Sequence, residues 1–473
     1  MDEQNGRRQI AVVGGGIAGL AAAWQLYQAS QQGEPLSVTL FEASERVGGK
    51  IRSQEIDGFT IEGGPDSFLT SKPQVIRLAE ALHLQELLLP TQPTDGSYLF
   101  SRGHLTRLPA GLNLMVPSDI NAFLESDLLS WEGKVRLLQD LVLPKRESDA
   151  DETLESFVTR RLGREALERI AEPLIAGIHG APPEKMSMRA AFPRFIEMEQ
   201  RYGSLLKAAL ASRHTPPPPP TAGKTYFMSF RNGMETLPTA IAQSLPPGTI
   251  QRNTPVSEIV ETPLQSHRYQ LRLQDGRHMD ADGVIVATPP DKTRSLLFHL
   301  DPEVAVLVGE IPQGATATVS FGFLKTQIPQ PLTGSGFVIP AVEGRRLMGV
   351  TYLSEKFAYR APSPEWVVVR GFVGGQKAQP LIASGKDALI QVVLDELREL
   401  VGVVGEPSFA SAFLFPQAMP QYLLGHLDRV ASIEAAVARH PALALAGSAY
   451  HGIGLPDCIE SGERAATVLL TRL

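Results

Sequence analysis

Gln9 to Val13 read QIAVV, a short and nearly unbroken apolar run that ends on Gly14, Gly15 and Gly16. A strand covered on both faces has this pattern, because neither face is left for polar side chains. Immediately afterwards Leu20, Ala23, Trp24 and Tyr27 recur at three- and four-residue spacing with glutamines between them, which predicts an amphipathic helix from about Ala18 to Ser30. Ser37 to Phe41 (SVTLF) form a second, β-branched strand that ends on Glu42. Strand, helix and strand in this order make a βαβ unit with parallel strands.

From about Ile76 to Lys207 the pattern becomes helical. Apolar positions repeat through Ile76, Leu78, Ala79 and Leu82, then Val135, Leu137, Leu138 and Leu141, then Leu167, Ile170 and Leu174. The five prolines Pro216 to Pro220 fit neither helix nor central strand and mark a boundary, read as a stiff surface connector. Beyond them strands return at Val256–Val260, at the alternating Tyr269, Leu271 and Leu273, at Gly283–Ala287, at Thr316–Phe323 and at Trp366–Val373, with a helix over Gly385–Leu400. The end of the chain repeats the opening: an apolar strand Leu443–Ala446, glycines at 447, 452 and 454, then a helix from Pro456 to Leu470. This predicts an α/β fold in which a Rossmann-like dinucleotide domain is assembled from discontinuous segments, 1–75, 225–300 and 410–473. A helical insertion at 76–210 and a mixed-sheet substrate domain at 301–409 complete it.

Composition narrows the function classes. The 473 residues, 43% of them hydrophobic, suffice for two or three domains with a packed core. Forty-four basic against 51 acidic residues give a net charge of −7 with no basic run, which argues against nucleic acid as a partner. Every apolar run stops at a proline or a charge well short of the ~18 residues that span a bilayer, so no transmembrane segment is expected. The polar start MDEQNGRRQI lacks the pattern of a signal peptide, and the cytoplasm is the expected compartment, with peripheral contact at a membrane surface left open. Cys458 is the only cysteine, which excludes an internal disulfide, a CxxC pair and a cysteine-ligated cluster, and it reads as packing rather than catalysis. No two of the ten histidines stand at a metal-ligand spacing, and no metal is expected.

Gly14, Gly16 and Gly19 have the spacing GxGxxG between a strand and a helix. The first permits the tight turn, the second lets a pyrophosphate approach the backbone, and the third lets helix and strand pack closely; the helix N-terminus then offers unpaired N–H groups to an anion. Glu42, 23 residues after Gly19, suits the two ribose hydroxyls of an adenosine and would repel a 2′-phosphate, so the ligand is of the NAD or FAD type. A second diglycine follows at once in Glu42-Ala-Ser-Glu-Arg-Val-Gly48-Gly49-Lys50, with a cation just beyond it. This arrangement resembles the FAD-binding amine oxidase superfamily.

Further motifs narrow the resemblance: Glu62-Gly-Gly-Pro-Asp-Ser-Phe68, Phe192-Pro-x-Phe195, Asn232-Gly-Met-Glu-Thr-Leu-Pro238, Val284-Ile-Val-Ala-Thr-Pro289, Met419-Pro-Gln-Tyr422 and Gly452-Ile-Gly-Leu-Pro-Asp-Cys-Ile-Glu-Ser-Gly462. Together they resemble the soluble bacterial protoporphyrinogen oxidase family, whose Gram-positive members act chiefly on coproporphyrinogen III. The resemblance implies that Gly14, Gly15, Gly16, Ile17, Ala18, Gly19, Glu42, Ala43, Lys50, Gly64, Pro65, Asp66 and Ser67 line a non-covalent FAD. It also implies that Val256 lies at the adenine end and that Gly447, Ile453, Gly454 and Leu455 sit under the flavin. Lys72, Gly177 and Ile178 would belong to the porphyrinogen pocket. The implied reaction removes six electrons in three steps, hydride passing to the flavin and dioxygen taking the electrons as hydrogen peroxide; no catalytic acid or base is assigned. The partners expected are the porphyrinogen, dioxygen and, transiently, the next haem-pathway enzyme. Relatives commonly have Trp where this chain has Phe415. The alternatives are an amine oxidase or carotenoid desaturase on the same fold, and a flavin-holding scaffold with no substrate of its own.

Overall fold

The computed structural model describes residues 6–176, 180–213, 225–262, 267–330, 332 and 334–473. The proline run at 216–220, Gly177 and Ile178 lie outside them.

Strand β1 (Arg8–Val13) is the centre of a five-stranded parallel sheet in the order Ile250–Gln251, Leu36–Phe41, Arg8–Val13, Gly283–Val286, Leu443–Leu445. Val12 sits between Leu40 and Ile285 in register. Ile10, Val12, Leu40 and Ile285 enter one hydrophobic cluster, while Ala11, Val13, Phe41, Val284 and Val286 enter another on the opposite face. Burial on both faces is why β1 is continuously apolar. Because all five strands are parallel, their carboxyl ends share one edge, where an open α/β sheet binds its ligand.

Helix α1 (Ile17–Gln31) leaves that edge after β1, and helix Leu455–Leu470 leaves it after the last strand. The two pack so closely that a Cβ on Gly462 would collide with the Ala18 carbonyl. Both helices therefore present their N-termini to one place.

The second sheet has seven strands in the order Phe409–Pro420, Gln313–Leu324, Trp366–Val373, Gly349–Tyr352, Gly336–Val338, Tyr98–Ser101, His104–Arg107. Its pairs are antiparallel except for Gly336–Val338 against Tyr98–Ser101, so the sheet is mixed. Val319, Phe321, Val367 and Val369 face Leu389, Val393 and Leu397 of helix Lys386–Val401. Alternation then sends Thr318, Ser320 and Arg370 to the other face, toward the dinucleotide half.

Two sequence expectations need correction. The segment 76–210 is not helical throughout: Leu88–Pro90, Tyr98–Ser101 and His104–Arg107 are strands within it. Arg102 and Gly103, with φ of 53° and 83°, form the two-residue turn with both φ positive that matches the twist of a hairpin, and a helical periodicity taken from flanking segments missed it. Phe409–Pro420, grouped above with the dinucleotide segments, pairs along Gln313–Leu324 in the large sheet instead, since its alternating face is completed there. The helices of this segment surround Phe123, Leu137, Phe157 and Phe195.

Candidate cofactor and substrate site

The three glycines of the first turn meet different demands. Gly14 adopts φ +108°, and a Cβ there would lie 2.7 Å from the Ala287 carbonyl oxygen. A Cβ on Gly19 would collide with the Gly14 carbonyl. Gly16 differs, for a Cβ there would meet nothing within 4 Å. Internal packing requires the outer two, while the middle one faces open space at the N-terminus of α1, where no side chain caps the helix. The second diglycine abuts it: Gly48 N–H donates to the Gly15 carbonyl at 2.8 Å.

Glu42 stands at the end of its strand as the spacing predicts, and its carboxylate already has partners. Oε2 accepts the Gly15 N–H at 2.7 Å, and Oε1 accepts the Ser44 N–H at 2.8 Å and its hydroxyl at 2.6 Å. Ala43 is exposed beside it. Thr254 N–H donates to the Glu42 carbonyl at 2.9 Å, which brings the strand beginning at half-buried Val256 to this end of the cleft.

Gly447, with φ +126°, also faces open space, and its N–H donates to Ser461 Oγ at 3.0 Å. The loop after it is fastened residue by residue. Tyr422 hydroxyl donates to the Ser448 carbonyl at 2.8 Å, His426 Nε2 lies 3.1 Å from the Tyr450 carbonyl, and Gly454 N–H donates to Asp457 Oδ2 at 3.2 Å. The Tyr422 and His426 rings stack with centroids 3.9 Å apart. Burial pushes His426 down to about 4, so the imidazole is neutral, and it pushes the Cys458 thiol up to about 12, which removes its nucleophilic form. Ile453 and Gly454 are half-buried and Leu455 is buried at the start of the last helix.

Gly64 to Ser67 form the turn after strand Phe59–Glu62, and a Cβ on Gly64 would collide with the Lys50 carbonyl. Pro65 is half-buried between Gly64 and the buried Asp66. Burial alone would raise the Asp66 carboxyl, but Lys356, 2.7 Å away, and Arg370 hold it well below the usual carboxylate range. Ser67 hydroxyl donates to Asp66 at 2.6 Å. Just before the turn, burial raises Glu62 to about 7 against the pull of Arg360 at 3.2 Å. Lys50 sends its ammonium to the Ala418 carbonyl, and burial lowers its pKa. Lys72, expected in the substrate pocket, pairs with Asp457 at the start of the last helix, where Gln74–Glu460 and Arg77–Glu463 continue the lacing.

These residues fit a dinucleotide carrying a flavin. Open space in front of Gly16 and Gly447, the uncapped start of α1 beside the start of helix Leu455–Leu470 on one sheet edge, and an acid at the end of the second strand fit pyrophosphate, ribose and ring system. Among the described residues no three His, Cys, Asp or Glu side chains converge as metal ligands. Sequence reasoning missed Arg370, Lys356, Thr318, Ser461 and His426. Arg370 did leave a signal, as the one charge inside the apolar strand Trp366–Val373.

Residues 17–470 match the family described as flavin containing amine oxidoreductase. The chain is 31% identical to the coproporphyrinogen III oxidase of Bacillus subtilis, covering 99% of each protein, and 32% identical to that of Staphylococcus aureus, covering 98% of this chain and 100% of the relative. Its backbone superposes on the crystal structure of a candidate protoporphyrinogen oxidase from Exiguobacterium sp. 255-15 with a TM-score of 0.85 at 31% identity, over 98% and 99% of the two chains. The cofactor of this family is flavin, here as FAD. With its glycine cradle, its parallel sheet and a match over nearly its whole length, the chain belongs to the flavin containing amine oxidoreductases.

Proposed function

We propose that this protein is an FAD-dependent oxidase of haem biosynthesis that converts coproporphyrinogen III to coproporphyrin III, with protoporphyrinogen IX as the second substrate to test. The observation that carries this reading is the end-to-end likeness to coproporphyrinogen III oxidases, cradle and large sheet included. When held in this cradle, FAD would supply the hydride acceptor and the route for electrons to dioxygen, with hydrogen peroxide as the reduced product. The chain's own work is orientation and exclusion of water. The glycine turns admit the dinucleotide backbone, Glu42 faces the ribose, and the Gly447–Gly454 loop supports the ring. Helix Leu455–Leu470 begins at that loop, so its positive end favours negative charge there. Lys72 is proposed to attract a substrate propionate, and Gly177 and Ile178 to complete the pocket. FAD is held without a covalent bond, since the half-buried Cys458 is kept as a thiol by its surroundings.

Contact with a membrane surface and a transient encounter with the enzyme that consumes the porphyrin belong to this reading; no helix among the described residues is long and apolar enough to cross a bilayer. Parallel turnover assays on the two porphyrinogens, followed by porphyrin fluorescence and peroxide release, test it. Faster turnover of coproporphyrinogen is expected. Oxidation of a primary amine with neither porphyrinogen consumed would overturn the reading in favour of an amine oxidase.

A further inference from the structure

Arg370 is 1% exposed in the middle of a sheet whose neighbouring positions are Val, Gly and Phe. A buried guanidinium costs several kcal/mol of lost hydration, so its placement needs acceptors that an aliphatic side chain could not serve. Its acceptors all belong to one turn. Nη2 donates to the Gly63 carbonyl at 3.2 Å and to the Gly64 carbonyl, and Nη1 lies 3.5 Å from Asp66 Oδ2. Its guanidinium carbon stands 4.6 Å from the centre of the Phe372 ring. Thr318, on the adjacent strand, adds its hydroxyl to the Gly63 carbonyl at 2.9 Å. From the other sides, a Cβ on Gly63 would lie 2.5 Å from the Phe413 ring and one on Gly64 would strike the Lys50 carbonyl. The turn has no room to settle elsewhere.

We propose that Arg370 is a positioning residue for the flavin: by gripping the Gly63 and Gly64 carbonyls and Asp66 from the large sheet, it fixes the turn Gly63–Ser67 in the shape that FAD binds. The inference rests on the reading that Gly64 to Ser67 line the cofactor. It makes the mixed sheet part of the cofactor site, because the strand that carries Arg370 pairs on both sides with strands of that sheet. A planar guanidinium reaches three acceptors spread along one turn from separate nitrogens, whereas a lysine ammonium offers its three donors from a single point.

Arg370→Lys retains the charge and loses the fork; Thr318→Val retains the shape and loses one donor. Apoprotein of each variant is titrated with FAD by quenching of flavin fluorescence, the bound visible spectrum is recorded, and the apoprotein melting temperature is measured separately. Arg370→Lys is expected to raise the FAD dissociation constant about tenfold and Thr318→Val about threefold, each with a shifted flavin band. A lowered melting temperature with unchanged affinity and spectrum in both variants would make Arg370 a structural residue only and overturn the proposal. Should Arg370→Lys not fold, Thr318→Val decides alone, an unchanged affinity and spectrum counting against the proposal. Glu42→Gln serves as the reference: if it weakens FAD while the other two do not, Arg370 has no positioning role but the cradle stands. If none of the three changes affinity, the cradle reading falls too.

Discussion

Lys72 gives its ammonium to Asp457, and the second carboxylate oxygen of Asp457 accepts the Gly454 N–H at 3.2 Å. The residue read from the sequence as a substrate cation is thus also tied to the loop expected under the flavin. Its side chain is 46% exposed, so the pair is open to solvent and to competition from a substrate carboxylate. Lys72→Met is expected to raise KM several-fold with kcat largely retained, since a partly exposed ion pair is worth only ~1 kcal/mol and its loss removes uniform binding. The rise should shrink at high salt. Steady-state kinetics at two ionic strengths checks this, and an unaltered KM at low salt removes Lys72 from the substrate site.

Glu42 holds Gly15 and Ser44, and the proposed function adds a second task, facing the ribose of FAD. Glu42→Gln keeps the shape but turns an amide N–H₂ toward groups that donate. Loss of about 1 to 3 kcal/mol is expected, a weakening of FAD by roughly fivefold to more than a hundredfold. Calorimetric titration of the apoprotein measures it; an unchanged constant would make Glu42 an ordinary surface acid.

Acid should loosen the Gly447–Gly454 loop through His426. The ring is buried, stacked on Tyr422 and bonded at Nε2 to the Tyr450 carbonyl, while Nδ1 has no partner among the described residues. Burial is the main cause of its low pKa; Arg429 and His451 add to the lowering and the Tyr450 bond opposes it. The folded value, about 4, lies below the ordinary 6.5, so between them the unfolded chain binds more protons and stability rises with pH. This contribution is complete above about pH 6.5 and is lost as pH falls toward 4. His426→Gln, which keeps a donor and cannot be charged, should flatten the pH dependence of the melting temperature across that window; a slope equal to that of the unaltered protein would exclude His426 as its source.

Purified protein should be yellow, and acid precipitation should leave the flavin in the supernatant. Colour that stays with the pellet would contradict non-covalent binding.

Asp140 and Arg161 are both fully buried in the helical segment, with Arg161 Nε 2.6 Å from Asp140 Oδ1 and Ser204 and the Leu206 N–H bonded to Oδ2. Asp140→Ala removes the nearer of two buried carboxylates, leaving Arg161 with Glu199 Oε1 at 3.5 Å and backbone carbonyls, and is expected to cost about 3 kcal/mol, read as an earlier urea transition. A transition within about 1 kcal/mol of the unaltered protein would mean that Glu199 and the backbone carbonyls of Pro144 and Gly203 satisfy Arg161 without it.

The amino-acid order by itself determined the dinucleotide unit. A strand buried on both faces must be continuously apolar, a tight turn against a helix must be glycine, and a ribose acid must end the next strand, so QIAVV, Gly14 to Gly19 and Glu42 carry local constraints that need no knowledge of the rest of the chain. The C-terminal strand, loop and helix were legible for the same reason. Tertiary structure alone decided what depends on distant pairing. It set Phe409–Pro420 and Tyr98–Ser101 in the large sheet, because a strand's partner is fixed by which face another segment completes. It also gave Arg370 the Gly63 and Gly64 carbonyls, 306 or more residues away along the chain, and gave Lys72 to Asp457. A charge in the sequence states only that it needs a partner; the fold chooses which one, since burial makes an unpaired charge too costly and geometry leaves few acceptors within reach.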